Sequence, residues 1–227
     1  MTYRSALIVG AGSGLSASLA HSFAKAGMTV ALAARSPQKL AEFATATAAR
    51  TYNCDAAKRD EVEALFAQLD AEGNAPDVVV YNPSYRVRGP LIDLDPAEVE
   101  KTIAISAFGG FLVAQAAVKR MLPRKEGALL FTGASASVKG YAQSAPFAMG
   151  KFGLRGLAQS MARELAPKNI HVAHFVIDGG IREEGRDRGP DGLLEPDAIA
   201  ESYLQVHRQH RSAWTWEMEL RPWTENF

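Results

Sequence analysis

A single cysteine, Cys54, rules out any disulfide framework within the 227-residue chain and suits a reducing compartment; beside Asp55 at a predicted strand end it reads as a buried, inert thiol. Charge of one sign is not in surplus. The 25 Lys and Arg balance the 25 Asp and Glu, so no overall positive field attracts nucleic acid or an anionic membrane, and small molecules are the favoured partners. No apolar run reads as long enough to span a bilayer, and no basic flank with a leader pattern opens the chain, so a cytoplasmic protein is expected. Metal-ligand spacing is also missing: His171 and His174 point largely to opposite faces of a strand, and His207 and His210 share a helix face without a third ligand. The absence of Gly-x-x-x-x-Gly-Lys-Ser/Thr excludes a nucleoside-triphosphate P-loop.

What the chain does contain is regular alternation of strand and helix. Leu7 to Val9 is a short apolar strand that runs into Gly10, Gly12 and Gly14 and then into a helix carrying Leu15, Leu19 and Phe23. Further strands are predicted at Met28–Ala34, Arg50–Cys54, Val78–Val80, Ala128–Thr132 and Ile170–Ile177, with an edge strand within Ala213–Leu220. Asp60 to Leu69 puts Val62, Leu65, Phe66 and Leu69 on one helical face. Asp95-Pro96 with Glu98 caps a long helix that Gly109-Gly110 interrupts and Pro123 ends, and Glu195-Pro196-Asp197 opens a final helix to Val206. The pattern predicts an α/β fold: one Rossmann-type domain over residues 1–227, a three-layer, doubly wound parallel sheet with ligands outside the C-terminal strand ends. Residues 179–195 read as a substrate loop in which Arg182, Arg186 and Arg188 alternate with Glu183, Glu184 and Asp187, and residues 213–227 as an aromatic tail with Trp214, Trp216 and Trp223.

Several fragments together resemble the short-chain dehydrogenase/reductase family: Gly10-Ala11-Gly12-Ser13-Gly14, Cys54-Asp55, Val80-Tyr81-Asn82, the small-residue stretch after the fifth strand, Lys151, and Gly179-Gly180-Ile181. The resemblance covers essentially the whole chain. It implies that Gly10, Gly12, Ser13, Gly14 and Leu15 cradle the pyrophosphate of a nicotinamide cofactor, that Asp55 contacts the adenine edge, and that Asn82 steadies the strands around the cofactor. It further implies that Lys151 is the catalytic lysine, that the Ile181 backbone meets the nicotinamide carboxamide, and that the chain assembles as a homo-dimer or homo-tetramer through its long helices. The end of the second strand offers Arg35 and Ser36 in place of an acid, which favours NADP through the 2′-phosphate and leaves NAD as the alternative.

The chain also departs from the family. Ser16 stands where the third glycine of the fingerprint is usual, and Ser106 is nearest to the family's relay asparagine. Phe147 occupies the position four residues before Lys151 that usually holds a tyrosine, and phenylalanine has no proton to transfer. Ser135 is the best match to the substrate-orienting serine, although direct counting lands nearer Ala134. Tyr141 and Tyr85, both at predicted strand ends, are the candidate replacement proton donors. The functional expectation is an NADP-dependent oxidoreductase of a small carbonyl, alcohol or activated-alkene compound; the alternative is an NADP-binding sensor or structural protein without turnover. If Arg35 pairs with the 2′-phosphate, calorimetry will show tighter binding of NADP than NAD and a loss of that preference in Arg35→Ala; equal affinities in the parent protein would remove the assignment.

Overall fold

A computed structural model describes residues 4–183, 185–186 and 188–225. Glu184 and Asp187 of the charged loop and the last two residues of the tail lie outside the described residues. The strands are β1 Ser5–Val9, β2 Thr29–Ala34, β3 Arg50–Asn53, β4 Val78–Tyr81, β5 Gly127–Thr132, β6 Ile170–Ile177 and β7 Glu217–Leu220. The principal helices are α1 Leu15–Lys25, α2 Ala41–Thr47, α3 Arg59–Ala71, α4 Pro96–Ile103, α5 Gly109–Arg124, α6 Ala145–Leu165 and α7 Pro196–His207. The strands form one parallel sheet in the order β3-β2-β1-β4-β5-β6-β7.

Every residue of β4, β5 and β6 is buried because helices cover both faces, which is why these segments read as unbroken apolar runs. On one face Leu7, Val79 and Phe131 pack with Phe66 of α3, Leu112 of α5 and Leu154 of α6. On the other, Ile8, Leu32, Val80 and Leu130 pack with Leu19 and Phe23 of α1 and Tyr203 of α7. This is the three-layer, Rossmann-type α/β arrangement expected from the alternation.

The long central helix differs from expectation in two ways. Gly109-Gly110 does not break it: a side chain at Gly109 would lie 2.4 Å from the Tyr81 hydroxyl, and one at Gly110 would lie 2.6 Å from Leu154, so the missing Cβ atoms let helix, sheet and α6 close up. Instead a π-helical turn, Ala104–Phe108, joins α4 to α5, and Tyr81 donates a 2.5 Å hydrogen bond to the Ile105 carbonyl in it. Pro123 lies inside the last turn, and the helix ends one residue later where Lys125 turns left-handed (φ 53°). The span Pro96–Arg124 is by length and composition apolar enough to cross a membrane, which corrects the expectation that no such run exists; 56% of its apolar window is buried in the protein, as in a core helix.

The edge strand is shorter than predicted. Arg211–Ala213 is a helical turn, and only Glu217–Leu220 pairs with β6. Glu217 anchors this edge: Arg155 of α6 grips its carboxylate at 2.6 and 2.8 Å, and His174 Nδ1 lies 3.1 Å from Oε2. Cys54 is buried, and burial followed by the nearby Glu61 and Asp55 charges pushes its thiol up to about 12, as an inert thiol requires.

Burial lowers His174 to about 4 despite Glu217, and lowers His207 to about 4 with help from neighbouring positive groups. Both are therefore neutral in the fold, while an unfolded chain protonates them near the ordinary histidine value. Stability contributed this way is full above that value and is lost as pH falls toward about 4. Urea unfolding is expected to show a loss of roughly 2 kcal/mol per histidine between pH 7 and pH 5, and a flat profile over that interval would contradict it.

Candidate functional site

The order of strands reverses at β1, which pairs with β2 on one side and β4 on the other, so a crevice opens beyond their C-terminal ends. Gly10 leaves β1 with φ +77° and sits so close to the next loop that an added Cβ would lie 2.6 Å from the Pro83 nitrogen. Only glycine meets both conditions. Gly12, Ser13 and Gly14 form the turn into α1, with Ser13 and Gly14 exposed, whereas the Leu15 side chain is buried in the core and leaves only its backbone at the helix N-terminus. α1 has no acid in its first turn and no side-chain cap, so its leading N–H groups suit an anion.

Ser16 has a specific task here. Its buried hydroxyl bonds the Gly10 carbonyl at 3.3 Å and accepts from Asn82 Nδ2 at 2.8 Å. The glycine turn is thereby tied to the loop after β4 at the point where the two strands part.

A cavity of about 310 Å³ runs from this turn outward, lined by Gly10, Ala11, Arg35, Asp55, Asn82 and Ser84 among others. Arg35 is exposed at its rim. Ser36, the residue before a short Pro37–Leu40 helical turn, is not among the lining residues. The Asp55 carboxylate accepts from the Ala57 N–H at 3.1 Å, and its own N–H donates to Glu61 at 2.7 Å, which holds the loop after β3 in place.

A second cavity of about 280 Å³ meets the first at Asn82 and Ser84 and continues over the ends of β5 and β6. It brings together Ser135, Tyr141, Phe147, Lys151 and Ile181. Lys151 is 2% exposed, donates to the Thr132 carbonyl at 2.8 Å, and is lowered by burial to about 8. Its ammonium lies 5.9 Å from the Phe147 ring centroid. Ile181 is fixed by a parallel bridge to Leu194, which closes the base of the 179–195 loop. Tyr141 is 46% exposed and reaches the cavity from the loop before α6. Ser137 is spent locally, accepting from the Ala134 N–H. Lys139 donates to the Asp178 carboxylate at 3.2 Å: burial alone would raise this acid, but the nearby Ser135, Lys139 and Arg221 hold it below the usual range.

Tyr85 is corrected as a candidate donor. Ser84 and Arg86 line the second cavity, and Tyr85 between them is not among its lining residues. Its hydroxyl is instead engaged by Glu98 at 2.5 Å, with Lys101 Nζ 4.3 Å from its ring centroid. Ser106 lies in the π-helical turn, buried, with a hydroxyl that has no partner among the described residues, and Gly150 packs directly on it. Arg86 has no role in the sequence pattern; its one usable signal is the alternation of Arg86 and Arg88 in the loop directly after the fourth strand.

Residues 4–182 match the sequence profile described as short chain dehydrogenase. The chain therefore belongs to the short-chain dehydrogenase/reductase family, a class of NAD(P)-dependent oxidoreductases. It is 36% identical to a short-chain dehydrogenase from Rhodopseudomonas palustris, with a TM-score of 0.85 over 97% of this chain and 99% of that one. It is 26% identical to a metagenomic short-chain oxidoreductase solved with NADP, TM-score 0.85 over 96% and 97%. Among curated relatives, it is 30% identical over 173 residues to the 2-dehydro-3-deoxy-D-gluconate 5-dehydrogenase of Formosa agariphila, covering 74% of this chain but 66% of that protein. NADP binding is thus supported at the level of the family.

The Ser16 bridge makes a direct prediction. Ser16→Ala leaves Asn82 Nδ2 without its acceptor and is expected to cost about 1–2 kcal/mol in chemical denaturation; an unchanged midpoint would show that the bridge carries no weight.

Proposed function

We propose that the protein is an NADP-dependent oxidoreductase acting on a small carbonyl, alcohol or activated-alkene compound, with proton-transfer groups altered from those usual in the family. Support comes chiefly from one observation: the two cavities share Asn82 and Ser84, giving a continuous crevice with a buried lysine beneath its inner end. The residues fit the cofactor. Gly10, Gly12, Ser13, Gly14 and the Leu15 backbone would receive the pyrophosphate, Arg35 and Ser36 the 2′-phosphate, Asp55 the adenine edge, and Lys151 with the Ile181 backbone the nicotinamide half, while Asn82 steadies the strands around the cofactor. When bound, the nicotinamide supplies or accepts hydride.

The chain's own residues prepare the other half of the chemistry. Lys151, held beneath the cavity by the Thr132 carbonyl, places positive charge where negative charge develops on a reacting oxygen. Ser135 orients that oxygen from the wall of the cavity. Tyr141 is the phenol within the cavity and serves as proton donor in place of Phe147. The protein works in this proposal as one cytoplasmic domain, and the exposed Phe108, Phe111 and Phe152 of the α5 and α6 region form the face through which a homo-dimer or homo-tetramer assembles.

A second proposal, an NADP-binding sensor without turnover, is favoured by Phe147, whose ring sits beside Lys151. NADPH oxidation against a panel of carbonyls and activated alkenes separates the two. Turnover that falls by about 100-fold or more in Tyr141→Phe, with NADPH affinity unchanged, is the outcome expected of the enzyme. Tight NADPH binding with no turnover on any panel member favours the sensor, and undiminished turnover in Tyr141→Phe removes the phenol from the proton step.

A further inference from the structure

Most strongly placed arginines in this fold have a carboxylate: Arg50 pairs with Glu72, Arg120 with Asp70, Arg124 with Asp77, Arg155 with Glu217 and Arg182 with Glu195. Arg86 and Arg88 do not. Among the described residues neither makes an ion pair, yet both face the same space. Arg86 lines the inner cavity together with Lys151 and Phe147, and also the adjoining outer cavity of about 660 Å³, where Arg88 joins it.

Arg86 is not a loose surface side chain. Its guanidinium carbon stands 4.9 Å from the centroid of the Phe147 ring, a stack that fixes the group over the cavity while leaving its N–H edge free to donate. The loop that carries both arginines is anchored at each side. Asn82 before them is held by Ser16, and the Gly89 N–H after them donates to the Gln143 carbonyl at 3.1 Å, on the segment that bears Tyr141. Burial of part of the group, and then the neighbouring Arg88 charge, hold Arg86 below the ordinary arginine value. The carboxylates that share the outer cavity are Glu183 and Glu225, and Glu225 already faces Arg188 at 3.8 Å. Arg186 and Arg188 line the same cavity, and the rest of its polar wall, Ser135, Tyr141, Gln143 and Ser144, is neutral.

Four arginines, Arg86, Arg88, Arg186 and Arg188, against two glutamates, Glu183 and Glu225, leave this cavity wall with a surplus of positive charge that an entering anion relieves. We propose that Arg86 and Arg88 are the recognition site for an oxyanion group on the substrate, a carboxylate or a phosphate, which Arg86 holds across the Phe147 ring so that the uncharged, reacting end of the molecule lies toward Lys151. The substrate class is therefore a small oxo or hydroxy acid, or a phosphate ester of similar size. This assignment rests on the inner cavity being the substrate end of the proposed oxidoreductase.

Calorimetric titration tests it on the full chain, with and without NADP, using 4-oxopentanoate, its methyl ester and inorganic phosphate as probes. The expected result is that 4-oxopentanoate or phosphate binds at least about tenfold more tightly than the neutral ester. That preference is lost in the Arg86→Gln/Arg88→Gln variant, which keeps its circular dichroism spectrum and its NADP affinity. The probe that binds identifies the group: preference for 4-oxopentanoate assigns a carboxylate, and preference for phosphate assigns a phosphate ester. An ester that binds as well as the acid when phosphate does not bind, an anion preference that survives in the double variant, or no binding of either anion overturns the proposal. Failure to bind NADP would instead defeat the oxidoreductase proposal, and the titrations without NADP still decide whether the arginine pair takes an anion.

Discussion

The reversal of strand order at β1 is the constraint on which the rest of this molecule depends. Because β2 and β4 leave β1 in opposite directions, the connections that follow β1 and β4 diverge and leave a crevice that no backbone fills. The crevice must be held at a defined width by something other than sheet hydrogen bonds. That is the role of the contact between Gly10 and Pro83 and of the Ser16 hydroxyl placed between the Gly10 carbonyl and Asn82. A serine in place of a third glycine thus exchanges close helix packing for a polar tie between the two lips.

The inner end of the crevice is shaped by how closely the central helix approaches the sheet. Gly109 and Gly110 bring α5 against Tyr81 and Leu154, and Gly150 brings α6 against Ser106. The π-helical turn at Ala104–Phe108 is the local adjustment that this approach requires. Its loosened backbone is partly repaired by Tyr81, whose hydroxyl reaches the Ile105 carbonyl. Lys151 follows directly from the Gly150 contact, so its burial and its bond to Thr132 derive from the same close packing.

Buried charge is confined to places where the fold supplies a partner or removes the charge. Glu217 is held by Arg155, and His174 beside it is kept neutral by burial; together they fasten β7 to α6 across β6. Asp178 at the end of β6 is paired with Lys139 and Arg221. Arg86 and Arg88, by contrast, are exposed cations that line a cavity and make no ion pair among the described residues.

The alternation of apolar strands with amphipathic helices, and hence the doubly wound sheet, was legible in the sequence because parallel strands buried on both faces leave continuous runs such as Val78–Val80 and Ile170–Ile177. The Gly10 turn was legible for the same kind of reason: its requirement is local, a positive φ between a strand and a helix. Other features were decided only by tertiary structure. The continuity of the helix through Gly109-Gly110 depends on Tyr81 and Leu154, far away in sequence, and the role of Ser16 depends on Asn82, 66 residues later. Which of Tyr85 and Tyr141 lines the cleft was equally hidden, since it depends on Glu98 and Lys101, 13 and 16 residues further on, engaging the Tyr85 hydroxyl. Sequence alone determined the order of elements and the location of the crevice, because these follow from periodicity and local backbone demands. The side chains that converge in it come from separate strand ends, and only the packed sheet brings them to the same few ångströms.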